Sequence, residues 1–160
     1  MKYLLDNFTG NIASPKTSFE MEFDGPFLNI HFCAEESSLT SYSSINNSDI
    51  WKDNVVEVFL DLGDDDFYYE FEVAPNGTTF TAKKYKDYLE YLPSDLIDTK
   101  VAIKGDSYIV EIRIDLSKFP KYRHIRYNAF RIERGKILEA LSPTYCDTFH
   151  VRDRFISLKM

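Results

Sequence analysis

Residues 51–73 read WKDNVVEVFLDLGDDDFYYEFEV, and this stretch decides the fold. Strand side chains alternate between two faces. Val56, Val58 and Leu60 therefore share one face, while Val55, Glu57, Phe59 and Asp61 share the other. Gly63-Asp64-Asp65-Asp66 is a turn signal. After it, Tyr69, Phe71 and Val73 alternate with Tyr68, Glu70 and Glu72. The pattern predicts an antiparallel hairpin with one apolar face and one face that mixes aromatics with carboxylates.

Working outward, similar signals recur. Phe19, Met21 and Phe23 alternate with Glu20 and Glu22. Asp24-Gly25-Pro26 turns the chain, and Phe27–Ala34 forms the answering strand, with Leu28, Ile30 and Phe32 on one face. Residues 3–8, 78–83, 101–104, 108–114, 125–133, 137–141 and 155–159 read as further strands. Residues 84–98 place Tyr85, Tyr88, Leu89 and Leu92 at helical spacing, so a short helix or ordered loop stopped by Pro93 is expected. Nine or so strands with close turn signals and almost no helix imply an all-β fold. The expected architecture is one domain over 1–160, an antiparallel β-sandwich of jelly-roll or immunoglobulin-like type. The stretch Glu35–Asp49, EESSLTSYSSINNSD, is a loop with no apolar period, and loops of that length often carry function.

Composition narrows the function. A chain of 160 residues can bury a real core without staples. Aromatics make up 16% of it, with 11 Tyr and 13 Phe, which favours strands and polar aromatic surfaces suited to sugars or peptides. The net charge of -7 argues against nucleic acid or anionic membrane partners. Cys33 and Cys146 have no metal spacing and read as free thiols, with a single bridge between them as the alternative. Met1 to Gly10 lacks the apolar run of a signal peptide, and no stretch is long enough to span a membrane. Taken as complete the chain is expected in the cytoplasm; with a leader removed, it belongs outside the cell or in the periplasm.

The residues also suggest chemistry. Trp51 at a loop–strand junction can stack on a pyranose or close the sandwich. Glu57 can accept two hydroxyls, or pair across strands with Arg131 or Arg113. Glu57 with Glu70 or Glu72 invites a glycosidase reading, one group as acid and the other as nucleophile or base. Asp61 with Asp64–Asp66 offers oxygens to calcium, although a plain acidic turn explains the run as well. Otherwise no metal or cofactor is expected. Met21 and His31 sit on adjacent strands but on opposite faces, which argues against a haem pair.

Three segments resemble the family 9 carbohydrate-binding modules and their DOMON-like relatives. They are Trp51–Asp61, then Tyr68–Val73 with Asn76-Gly77, and the tail from Tyr127-Asn128 through Phe149-His150-Val151 to Phe155 and Leu158. Tyr108–Glu111 is similar to a further family strand. The resemblance implies non-catalytic binding of a sugar on the concave sheet. It places the first stacking aromatic on Trp51, a sugar-binding carboxylate on Glu57 and another on Glu36. It puts the second aromatic on or near Phe149, with His150 beside it, and Arg131 completes the expected set. Two positions depart from the family pattern. Phe149 stands for a tryptophan, and Glu72 stands where an arginine would donate. The competing expectations are a small glycosidase, and an interaction sandwich whose Glu35–Asp49 loop docks a protein.

Overall fold

The computed structural model describes residues 1–14, 16–36 and 38–158. Ser37 of the expected loop and Lys159 of the expected last strand lie outside them. The thirteen strands are β1 (Lys2–Tyr3), β2 (Leu5–Asp6), β3 (Thr17–Asp24), β4 (Phe27–Glu35), β5 (Val55–Asp61), β6 (Phe67–Val73), β7 (Thr79–Tyr85), β8 (Leu89–Tyr91), β9 (Ile97–Lys104), β10 (Ser107–Asp115), β11 (Arg126–Glu133), β12 (Ile137–Ala140) and β13 (Ile156–Ser157). A five-stranded sheet runs β1-β3-β4-β10-β9. An eight-stranded sheet runs β2-β12-β11-β5-β6-β7-β8, with β13 beside β11. All pairings are antiparallel, so the expected sandwich is the observed one.

The alternation quoted above builds the core. Val56, Val58 and Leu60 of β5 and Tyr69, Phe71 and Val73 of β6 face Leu28, Ile30 and Phe32 of β4 and Val110, Ile112 and Ile114 of β10. Each fully buried aliphatic or phenyl side chain stabilises the fold by roughly 1.5–3 kcal/mol relative to exposure. The eight-stranded sheet is also covered on its outer face. There Ile50, Val55, Phe59, Tyr68, Phe80, Phe130, Phe149 and Phe155 form a second apolar cluster.

Three local readings change. The helical spacing at residues 85–92 is a hairpin: β7 and β8 pair, and Tyr85 stacks on Tyr88 at 4.3 Å. The spacing arose because a tight turn also brings residues three apart together. The expected first strand is split at buried Leu4, with β1 pairing β3 and β2 pairing β12, so the chain crosses between sheets there. Cys33 and Cys146 are both free thiols. Met21 pairs with Ile30 and His31 with Glu20, so Met21 and His31 do face opposite ways.

Candidate functional site

The outer face of the eight-stranded sheet carries the polar side of the opening hairpin. Glu57 lies opposite Glu72, and Phe59 opposite Glu70. Phe130 flanks Glu57 on the other side, and Phe80 flanks Glu72. The three glutamates thus converge in an aromatic frame. Carboxylate oxygens of Glu57, Glu70 and Glu72 all lie within 4.8 Å of one another. The residues are only 2%, 5% and 1% exposed. Burial, reinforced by Glu70, holds the Glu57 carboxyl well above its ordinary range, and burial with both neighbours does the same to Glu72. Burial also lifts Glu70, to about 7. Among the described residues no Arg, Lys or His forms an ion pair with any of the three.

Trp51 stands at one end of this face. The single-turn 3-10 helix Ile50–Lys52 packs beside β6, with Ile50 seated in the outer apolar cluster. Trp51 itself is 43% exposed, so the sandwich is not closed by its indole. Two residues hold the turn. Buried Asn54 donates Nδ2–H to the carbonyls of Ser38 and Thr40, each at 3.0 Å, and its Oδ1 accepts from the Arg134 N–H. Gly135, at φ +66°, lies so close that a Cβ there would meet the Lys52 carbonyl oxygen at 2.3 Å. Only glycine satisfies both constraints. The Lys52 ammonium lies over the rings of Trp51 and Tyr42, at 5.6 and 5.3 Å. Tyr42 is therefore the exposed aromatic beside Trp51. Tyr91, also exposed, meets Phe80 edge-on at 5.7 Å and adds a second aromatic rim to the same face.

The opposite end is covered by residues 149–155. The His150 ring stacks on Phe59 at 5.1 Å, and its Nδ1 shares a 2.6 Å hydrogen bond with the Tyr68 hydroxyl. Desolvation by this packing, and then the Lys84 ammonium, hold the imidazole below its ordinary value. A neutral ring bonded through Nδ1 leaves Nε2 to meet a ligand. Asp61 fixes the segment. Its carboxylate, fully buried, accepts from Arg152 Nε and Nη2 at 3.0 and 2.9 Å, from Arg126 Nε and Nη2 at 3.0 and 2.5 Å, and from the Gly63 N–H at 2.8 Å. Arg152 also donates to the carbonyls of Asp64, Asp65 and Phe67. Two arginines thus take the oxygens that calcium at the acidic turn would need from Asp61.

Of the six residues predicted to bind sugar, the structure brings Trp51, Glu57 and His150 to one face. It turns Arg131 and Glu36 away. Across the β5–β11 pair Arg131 lies opposite Val56, so it points between the sheets. There it donates to Glu36 Oε2 at 3.1 Å, Thr17 Oγ1 at 3.0 Å and the Glu35 carbonyl at 2.8 Å, fully buried. A displacement of one residue along a strand reverses the face, and Phe130 is the neighbour Glu57 has. The expected pairing of Glu57 with Arg131 or Arg113 is therefore absent; Arg113 belongs to β10 in the other sheet. Phe149 is 6% exposed and stacks on Phe130 at 4.2 Å, so it is part of the aromatic frame and offers no open ring. Sequence reading placed Tyr68 on this face but missed its bond to His150, and it missed Tyr42, Tyr91 and the Asp61 clamp. An aspartate ending a strand whose partner opens with Arg126 was the only available signal for the clamp.

The sequence model of carbohydrate-binding family 9 matches residues 7–132. A candidate carbohydrate-binding protein from Bacteroides uniformis has a similar structure, with a TM-score of 0.80 at 18% identity, over 98% of this chain and 85% of that one. A family 9 module from Caldicellulosiruptor kristjanssonii, solved with cellotriose, superposes with a TM-score of 0.59 at 18% identity, over 87% of this chain and 70% of the module. The same kind of module from that organism, solved with glucose, gives 0.56. An extracellular protein of Arthroderma benhamiae is 35% identical over 75 residues. That match covers 44% of this chain, which spans about a third (34%) of the relative's length. At 18% identity the solved structures speak to the fold. The match over residues 7–132 speaks to descent, and on it the chain belongs to carbohydrate-binding family 9.

Proposed function

We propose that the domain binds a glucose-based oligosaccharide on the outer face of the eight-stranded sheet, with Trp51 as its stacking platform. The observation that carries this reading is an exposed indole held on a rigid turn at the end of a face floored by Glu57, in a member of a carbohydrate-binding family. The apolar C–H face of a pyranose packs on an aromatic ring through burial and dispersion. Tyr42 and Tyr91 extend the aromatic rim. Glu57 accepts sugar hydroxyls and the His150 ring supplies a further polar contact. Glucose and cellotriose are the favoured ligands because family 9 modules of this fold hold them. The favoured setting is outside the cell, where polysaccharides lie and where a relative of this chain is placed by its name. Among the described residues no helix is long and apolar enough to cross a membrane.

A glycosidase reading gains no support from the face. Such a pair needs one carboxyl held ionised while the other is protonated. Here all three are pushed toward the protonated form, and none is hydrogen-bonded to a cation. Isothermal titration with cello- and xylo-oligosaccharides tests the proposal. Saturable heat with a cello-oligosaccharide, weakened about tenfold or more in Trp51→Ala, is expected. No heat with any of these sugars, or the same affinity in Trp51→Ala, overturns it.

A further inference from the structure

We propose that Glu57, Glu70 and Glu72 together form a binding site for a single hard divalent cation, calcium being the best fit. Three carboxylates are gathered within 4.8 Å, almost closed to solvent; among the described residues none forms an ion pair, and the Lys84 ammonium only partly offsets the charge of Glu70. Buried charge is costly unless it is paired or coordinates a metal. Two of the oxygens, Glu70 Oε2 and Glu72 Oε2, are fully buried and receive no hydrogen bond from outside the cluster among the described residues; the Glu70 and Glu72 carboxyls can bond only each other. Such atoms are rare in folded proteins and call for an explanation. Two other buried carboxylates are met by arginines, Asp61 by Arg126 and Arg152 and Glu36 by Arg131, whereas both oxygens of Glu139 are also unpartnered among the described residues; what sets Glu57, Glu70 and Glu72 apart is that three carboxylates gather around one point.

The donor set selects the ion. It is all carboxylate oxygen, with no thiolate or imidazole, which suits calcium, magnesium or manganese and disfavours zinc or copper. The spacing admits calcium: at metal–oxygen distances of about 2.3–2.6 Å, two ligands of one ion can stand up to roughly 5 Å apart, and the three oxygens lie within 4.8 Å of one another. Rigid placement adds to the fit. Glu57 and Glu72 face each other across the β5–β6 pair, and Glu70 is two residues along β6 on the same face. The donors are set by strand register, so folding delivers them already gathered. This site is separate from the acidic turn, whose Asp61 is occupied by arginines; it shares Glu57 with the proposed sugar face, so the test is run without sugar and the two readings fail separately.

The test uses the full chain, stripped of metal, and titrated with calcium chloride, then with manganese chloride, in the absence of sugar. The expected result is uptake of one ion per chain, read by equilibrium dialysis, with a rise in melting temperature of several degrees. Glu72→Gln keeps the shape and removes one charge. It is expected to weaken uptake at least tenfold while the metal-free protein melts no lower than wild type. Glu70→Gln serves the same purpose if that variant fails to fold. Asp64→Asn, in the acidic turn, is expected to leave uptake unchanged. Absence of uptake at millimolar calcium and manganese, uptake that persists in Glu72→Gln or Glu70→Gln, or uptake lost in Asp64→Asn overturns the proposal.

Discussion

Replacing Asp61 with asparagine removes the charge that ties four segments together. The side chain is fully buried at the end of β5 and receives both arginine forks. Burial works against its charge, yet the Arg152 fork, the Gly63 N–H and Arg126 outweigh burial and hold the carboxyl far below the usual range. Breaking a buried ion pair by removing one partner costs about 3–5 kcal/mol. Arg126 and Arg152 are 32% and 27% exposed, so water compensates them in part and the lower figure, about 3 kcal/mol, applies. For a chain of this length that corresponds to roughly 6–12 °C in melting temperature at pH 7. The sign with pH follows from the depressed folded value. The stabilisation is present above the unfolded value near about 4 and is lost as pH falls below it. Thermal melts of wild type and Asp61→Asn across pH 2–7 test this. The gap is expected to be full from pH 5 to 7 and to narrow steadily below pH 4. A difference under about 2 °C at pH 7, or a gap that does not change with pH, refutes the clamp.

Other perturbations separate the face from the core. Glu139, fully buried beside Arg131, has its carboxyl lifted to about 7 by burial. A raised value contributes stability below about 4.3 that is lost as pH rises through about 7; urea unfolding of Glu139→Gln is expected to match wild type at pH 4 and exceed it by about 3–4 kcal/mol at pH 8. Arg131→Met leaves Glu36 without its partner and is expected to cost about 3 kcal/mol, while titration of the folded protein gives unchanged sugar affinity because Arg131 lies on the opposite face. Gly135→Ala forces the Lys52 carbonyl to move; calorimetry is expected to show sugar affinity reduced several-fold, with a stability loss of about 1–2 kcal/mol from the strained positive φ.

Much of this was legible from period-two alternation. The faces of β5 and β6 follow directly from residues 55–73, because a half-buried strand must keep its apolar residues on one side. The parity of Arg131 was not. Its strand reads Tyr127-Asn128-Ala129-Phe130-Arg131-Ile132, with large apolar and polar residues on both faces, since both faces of β11 are buried. Alternation carries no direction there. Phe149 and His150 sit in a segment with almost no regular structure, held by side chains far away in the chain. Asn128 binds the Ser142 carbonyl, and Asn7 binds Thr144 and the Cys146 carbonyl. Local sequence does not encode which of two adjacent residues such a segment buries. The long loop follows the same logic: its serines and asparagines fasten it to β7, as when Asn46 and Asn47 accept the Thr79 and Thr81 N–H groups.

The central claim is that sugar rests on Trp51, and the chain offers a direct probe because it contains one tryptophan. Its indole N–H gives a single side-chain resonance. Titration with cellotriose is expected to move that resonance saturably, in step with the binding heat. Binding heat with a stationary indole signal, or no movement at any cellotriose concentration, contradicts the account.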